Sequence, residues 1–126
     1  MDGAQAARFA DSWAKHWNAH NLDHLLAHFA DDITFTSPVA AQLLPHSNGV
    51  IVGKAALRDY WAEGLRRIPD LHFEIVGVYS GVDTVVINYR NQTGNLVSEV
   101  LIFNDGLVAA GHATYPDKAN PAGATD

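Results

Sequence analysis

The spacing of apolar side chains changes lastingly near Pro69, and that change limits the folds open to this chain. Before it, apart from one short alternating stretch, apolar residues return every three or four positions, the repeat that covers one face of a helix. After it they alternate with polar ones, the repeat of a strand buried on one face. Helices first and strands afterwards cannot make alternating β-α-β units. They imply an α+β domain, with three N-terminal helices packed on one face of a strongly curved antiparallel sheet.

Positions Ala6 to Ala19 form the first helical stretch, with Phe9, Trp13 and Trp17 four residues apart on one face. Asn21 reads as the N-cap of a second helix holding Leu22, Leu25, Leu26 and Phe29, with Asp23 near its positive end. Asp31-Asp32 breaks that helix, and Ile33 to Ser37 alternates as a strand that Pro38 ends. Residues 39 to 52 contain Pro45 and Ser47-Asn48-Gly49 and read as a long loop, the kind that serves as a lid or binding segment. A third helix is expected from about Lys54 to Arg67, with Leu57, Tyr60, Trp61 and Leu65 on its apolar side. Four strands follow, Leu71 to Tyr79, Thr84 to Gln92, Leu96 to Phe103 and Leu107 to Tyr115. The turn dipeptides Ser80-Gly81, Thr93-Gly94 and Asp105-Gly106 separate them. Residues 5–116 are expected to form one domain, and the Pro/Gly/Ala-rich segment 117–126 a loose tail.

Composition excludes several functions. The formal net charge is -6 and the eight basic residues are scattered. A nucleic-acid groove needs a basic stripe to displace counterions from phosphates, and an anionic membrane surface makes the same demand. No apolar run approaches the ~20 residues of a membrane span. The N-terminal segment lacks a basic stretch followed by an apolar one, so a cytoplasmic location is the expectation. With no cysteine, disulfides and thiolate metal sites are excluded. No glycine-rich phosphate loop or zinc spacing occurs, so no cofactor and no metal are expected.

The segments WAKHWNAHNLDHLLAHFADDITFTSP and GKAALRDYWAEGLRRIPD, followed by four strands with an Asp-Gly turn, resemble the small cone-shaped α+β barrel family. That family includes nuclear transport factor 2, SnoaL-like polyketide cyclases and ketosteroid isomerase. The resemblance spans roughly Ala6 to Tyr115 and implies a cystatin-like cone with one internal pocket. Set against the ketosteroid isomerase pattern, FADD (Phe29 to Asp32) and the strand to Pro38 align. The position of the general-base aspartate then holds Ser37. The first-helix tyrosine that donates to the enolate oxygen falls at Trp13, and the supporting tyrosines fall at Phe29 and Trp61. The buried acid falls at Glu99. The aspartate of SnoaL-like cyclases would lie near Ala113. Both catalytic patterns are broken, and ketosteroid isomerisation is not expected.

Glu99 is the leading candidate for chemistry. It shares the parity of Leu101 and Phe103, which the resemblance places towards the cavity. A buried carboxylate is costly unless paired or protonated. Arg90 offers a partner: if Thr93-Gly94 makes a two-residue hairpin, Asn88 lies opposite Glu99 and Arg90 opposite Val97, forming one polar cluster. That cluster would recognise a polar group or act as a base; the other reading is a structural ion pair or a cluster at a dimer interface. His16, His20, His24 and His28 recur every four residues. On one continuous helix they would share a stripe, as metal-binding pairs do. A break at Asn21 would point the two pairs differently and leave them exposed. His46, in the long loop, could hang over the pocket mouth as an acid or base, or be an ordinary surface histidine. His112 has the opposite parity to Tyr115 and faces away from the pocket, unless a two-residue turn at Asp105-Gly106 reverses it. Trp13, Trp17, Tyr60 and Trp61 suit either core packing or a mostly apolar pocket wall.

The expected pocket is lined by Trp13, Trp17, Phe35, Ser37, His46 and Tyr60, with Trp61, Asn88, Leu101 and Tyr115, around Glu99 and Arg90. Its ligand is expected to be a small, largely apolar molecule. Three functions compete. The first is a cofactor-independent isomerase, cyclase or hydratase with Glu99 as acid or base. The second is a non-catalytic binding protein, and the third a dimerisation or interaction module. Val76, Val78, Val85 and Ile87 are expected on the open sheet face, which a homodimer would cover.

Overall fold

The computed structural model describes residues 1–117; the expected loose tail lies, from Lys118 onwards, outside the described residues. Helix α1 (Gly3–Asn18) begins at a capping box, in which the Asp2 carboxylate accepts from the Gln5 N–H and the Gln5 side chain accepts from the Asp2 N–H. It buries Ala6, Ala10, Trp13, Ala14 and Trp17 along one stripe. His20, at φ 57°, turns the chain, and Asn21 caps the short helix α2 (Leu22–Leu26) by accepting from the His24 N–H.

Strand β1 (Phe29–Thr36) starts earlier than expected. Phe29 is its first residue, and Asp31-Asp32 lies inside it, where the pairing with the last strand shifts register. The expected loop 39–52 is also structured. Ser37 caps helix α3 (Pro38–Leu43) by accepting from the Val39 N–H, with Pro38 at the first helical position, where its missing N–H costs nothing. A single 3-10 turn (Pro45–Ser47) and strand β2 (Val50–Val52) follow. Gly49 takes φ 80°, and a Cβ there would stand 3.0 Å from the Ser37 carbonyl oxygen, so the return into β2 requires glycine. Helix α4 (Lys54–Arg67) then buries Leu57 and Trp61.

The remaining strands are β3 (Glu74–Gly81), β4 (Thr84–Arg90), β5 (Leu96–Asn104) and β6 (Leu107–Thr114). With β1 and β2 they make one six-stranded sheet in the order β2-β1-β6-β5-β4-β3. β3 to β6 form the expected antiparallel meander, but β1 lies parallel to β6, so the sheet is mixed. The α+β class holds: helices precede a mixed sheet and pack against its inner face, where Val85, Ile87, Tyr89, Val97 and Leu101 are buried.

Two registers differ from expectation. The β4–β5 connection is the five-residue run Asn91–Asn95, in which Asn91 Oδ1 accepts from the N–H groups of Thr93 and Asn95. The pairing is therefore Ile87 opposite Glu99 and Tyr89 opposite Val97, one residue away from the two-residue hairpin. A shift of one residue sends every side chain to the other face. Val85 and Ile87 accordingly point into the core, each 0% exposed, and Val78 packs against it; Val76 alone of the expected outward set is well exposed. At β5–β6 the turn is two residues, Asp105-Gly106, yet a bulge beyond it restores the parity. His112 pairs with Val100 on the outer face, its Nδ1 2.7 Å from Thr36 Oγ1.

Candidate functional site

Four structural pieces enclose a cavity of about 310 Å³ on the inner face of the sheet. Helix α1 supplies Trp17, α4 supplies Tyr60 and Trp61, and the end of β1 supplies Phe35 and Ser37. The meander supplies Tyr89, Glu99 and Ala113, with Tyr115 just past β6. Trp61 is the hub of the aromatic wall, edge-on to Trp17 at 4.8 Å, to Phe29 at 5.4 Å and to Phe35 at 5.5 Å. Edge-to-face contacts of this kind fix ring orientations beyond what area burial alone would do.

Glu99 is 4% exposed, and its Oε1 accepts a 3.2 Å hydrogen bond from the Tyr89 hydroxyl. Burial pushes its carboxyl up to about 7, and the Tyr89 bond only partly opposes this. The Tyr89 phenol is raised well above its ordinary value by burial and then by the Glu99 charge. Tyr115 is pushed up to about 12 by burial, then by Glu99, and Tyr60 is raised mainly by burial. The nearby Ser37 hydroxyl, which accepts from the Val39 N–H, opposes both rises in part. The result is one titratable carboxyl near neutrality, beside hydroxyl groups that stay protonated. Such a set can give or take one proton and donate hydrogen bonds to an oxygen.

Of the residues expected in the pocket, Trp17, Phe35, Ser37, Tyr60, Trp61, Glu99 and Tyr115 come together around it. Trp13 does not line it; 1% exposed, it sits behind the wall, stacked on Phe73 at 5.5 Å and edge-on to Tyr89 at 5.2 Å. Leu101 is wholly buried in the core below. His46 lines a separate, more open groove of about 550 Å³ outside α4. That groove is the larger; of its acids Asp59 is exposed and Glu63 half-buried, whereas the fully buried Glu99 carboxyl lines the smaller cavity.

Arg90 and Asn88 are corrected by the register. Both face away from Glu99: Arg90 donates to the Gly94 carbonyl at 3.1 Å, and Asn88 to Val97 O and Ser98 Oγ. Tyr89 takes the place expected for Arg90 as the partner of Glu99. It was missed because the loop length that sets the register is not written in a turn dipeptide. Phe73 and Arg67 also line the cavity; the Arg67 guanidinium stands at its rim, paired with Glu63 at 2.6 Å and about half exposed. The indole N–H of Trp17 and the Gln92 Oε1 are buried with no partner among the described residues.

The histidine expectation also changes. The helix breaks near Asn21, but α2 folds back so that His16 stacks with His24 at 5.4 Å and with His28 at 6.3 Å. Burial and the charges of His24 and His28 lower the pKa of His16. His20 turns elsewhere, to the Leu71 carbonyl. Among the described residues, no group of three or more His, Cys, Asp or Glu is arranged to hold a metal ion, and no helix is long and apolar enough to cross a membrane.

Comparison with known proteins agrees with this architecture. The profile of one family, the SnoaL-like domain, matches residues 10–116. A SnoaL-like protein of unknown function from Burkholderia thailandensis E264 is 41% identical, with a TM-score of 0.87 over 92% of this chain and 98% of that one. TerC, co-crystallised with polyporic acid, is 11% identical, with a TM-score of 0.71 over 88% and 91%. A protein with a ketosteroid isomerase-like fold from Catenulispora acidiphila, in complex with trimethylamine, is 19% identical, with a TM-score of 0.69 over 90% and 89%. None of the curated proteins matches the chain.

Proposed function

The chain belongs to the SnoaL-like domain family, and from that premise we propose that it encloses one small, largely apolar molecule in the aromatic cavity and presents Glu99 to it as a proton acceptor or donor. The observation that carries this reading is the buried Glu99 carboxyl, held near neutrality on the floor of a cavity of about 310 Å³. A general acid or base works best when its pKa lies near the operating pH. The reaction class is cofactor-independent proton transfer, as in an isomerase, cyclase or hydratase. TerC, which shares the fold, was co-crystallised with polyporic acid, and a mostly apolar cavity with a few polar groups suits a small organic ligand here as well.

The test is a tryptophan-fluorescence titration of small cyclic ketones, lactones and terpenoids, followed by incubation of any binder in D₂O. Saturable quenching through Trp17 and Trp61 is expected, and Ala113→Phe, which fills the cavity beside Glu99, should abolish it. Deuterium uptake that disappears in Glu99→Gln identifies proton transfer. Binding without exchange supports the second reading, a non-catalytic carrier; binding that survives Ala113→Phe sinks both.

A homodimer through the outer sheet face is part of the same proposal. Tyr79 is 64% exposed and Ile102 38% exposed, with Val86 and Val100 half-buried between them. Such a face is best covered by a second copy related by a two-fold axis.

A further inference from the structure

We infer that the molecule taken into the aromatic cavity carries a small organic ammonium group, its positive nitrogen seated against the Glu99 carboxylate and its alkyl shell against the rings of Trp17, Trp61, Phe35 and Tyr60. This rests on the proposed reading of the cavity as a ligand pocket and adds the charge of the ligand to it.

Two features of the cavity converge on a cation. The first is the density of aromatic faces, whose negative quadrupoles attract a positive charge held within about 6 Å of the ring centre. Trp17 and Trp61 lie 4.8 Å apart and Phe35 is 5.5 Å from Trp61, so three rings of the lining stand together, with Tyr60 beside Trp61 in the chain. The second is a carboxyl group with no positive partner. Among the described residues the only basic side chain lining the cavity is Arg67, and it is engaged at the rim by Glu63. Among the described residues the Tyr89 hydroxyl is the one hydrogen-bond donor to Glu99. A buried carboxylate is stable only when its charge is met. An ammonium meets it; a neutral molecule leaves it unpaired or protonated, and an anion opposes it. The net charge of -6 adds a weak pull on cations at longer range.

Binding of a cation then couples to proton release. In the empty cavity Glu99 titrates near 7, so at neutrality it carries its proton in a large fraction of molecules. A cation selects the ionised form and expels that proton. Affinity should therefore rise about tenfold from about pH 6 to about pH 8 and level off above that.

Isothermal titration calorimetry of the full chain tests this with three probes of similar size: N,N-dimethylbenzylammonium, its neutral carbon isostere isobutylbenzene, and phenylacetate. At about pH 8 the ammonium should bind at least about tenfold more tightly than isobutylbenzene, the scale of a desolvated cation–π contact plus a charge pair. That preference should vanish in Glu99→Gln, which still binds isobutylbenzene. Wild-type titrations at neutral pH in two buffers of different ionisation enthalpy should show release of a fraction of a proton, a readout that does not depend on the variant folding. If isobutylbenzene or phenylacetate binds as tightly as the ammonium, or no proton is released, the inference falls and the pocket reading stands. Saturable binding of none of the probes overturns both.

Discussion

Glu99 makes folding sensitive to pH in a direction opposite to that of most carboxylates. Its folded value, about 7, lies above the ordinary 4.5, so the folded chain holds a proton that the unfolded chain gives up. Stability from this group is full below about pH 4.5, falls as pH rises to about 7, and is level beyond, the whole loss being roughly 3 kcal/mol. Glu99→Gln should thus be more stable than wild type at about pH 8, with the gap closing near pH 5; urea unfolding at both pH values measures it. A variant destabilised equally at both would show the carboxylate to be paired after all. Tyr89→Phe removes the one donor on Glu99 and should raise its titration further, read by ¹³C chemical shift of the carboxyl. The Ser37 hydroxyl accepts from the Val39 N–H, and among the described residues no carboxylate or imidazole bonds to it to activate it as a base. Turnover of a Δ5-3-ketosteroid should accordingly stay below ~1 s⁻¹, the low end of ordinary enzyme rates. The acid itself was legible in the sequence, as a lone charge in an apolar strand. Its partner was not, because Tyr89 reads as one more strand aromatic until the register is known.

Strand β6 shows what separates elements that a sequence specifies from those it leaves open. Its hydrophobic alternation marks it as a strand, but the bulge that returns His112 to the outer face leaves no residue signature. Likewise Ser37-Pro38 looked like a strand end and is also the cap and first residue of α3, a signal with two readings. The β4–β5 loop is the sharpest case: Thr93-Gly94 is a good turn pair, yet Asn91 organises five residues around its side chain and moves the whole register by one. Packing within β6 yields a further prediction. A Cβ on Gly111 would come within 3.0 Å of Phe35 Cδ1 and 3.2 Å of Leu101 Cδ2, both in buried side chains. Gly111→Ala should cost about 1–3 kcal/mol by overpacking, seen as a lower denaturant midpoint with an unchanged slope. At the α1–α2 junction, the depressed His16 imidazole binds its proton less readily folded than unfolded. Stability there is present above about pH 6.5 and is lost as pH falls below it.

For the molecule as a whole, assembly and charge can be checked together. If the outer sheet face is shared between two copies, light scattering at micromolar concentration should give twice the chain mass, and Ile102→Asp should return it to monomer without altering ligand binding inside. A monomer across that range would leave Tyr79 and Ile102 as ordinary surface. The parallel pairing of β1 with β6 has a kinetic consequence as well. It joins Phe29–Thr36 to Leu107–Thr114, segments far apart in the chain, whereas β3 to β6 are joined by short turns. Contacts between distant segments carry the larger loop-closure entropy and tend to form late in folding. The meander can therefore order first with Glu99 already in place, while Ser37 and Phe35 arrive only when β1 docks. A folding intermediate, if one accumulates, should carry a protected meander and an open, water-filled cavity, so that ligand slows unfolding of β1 far more than that of the hairpins.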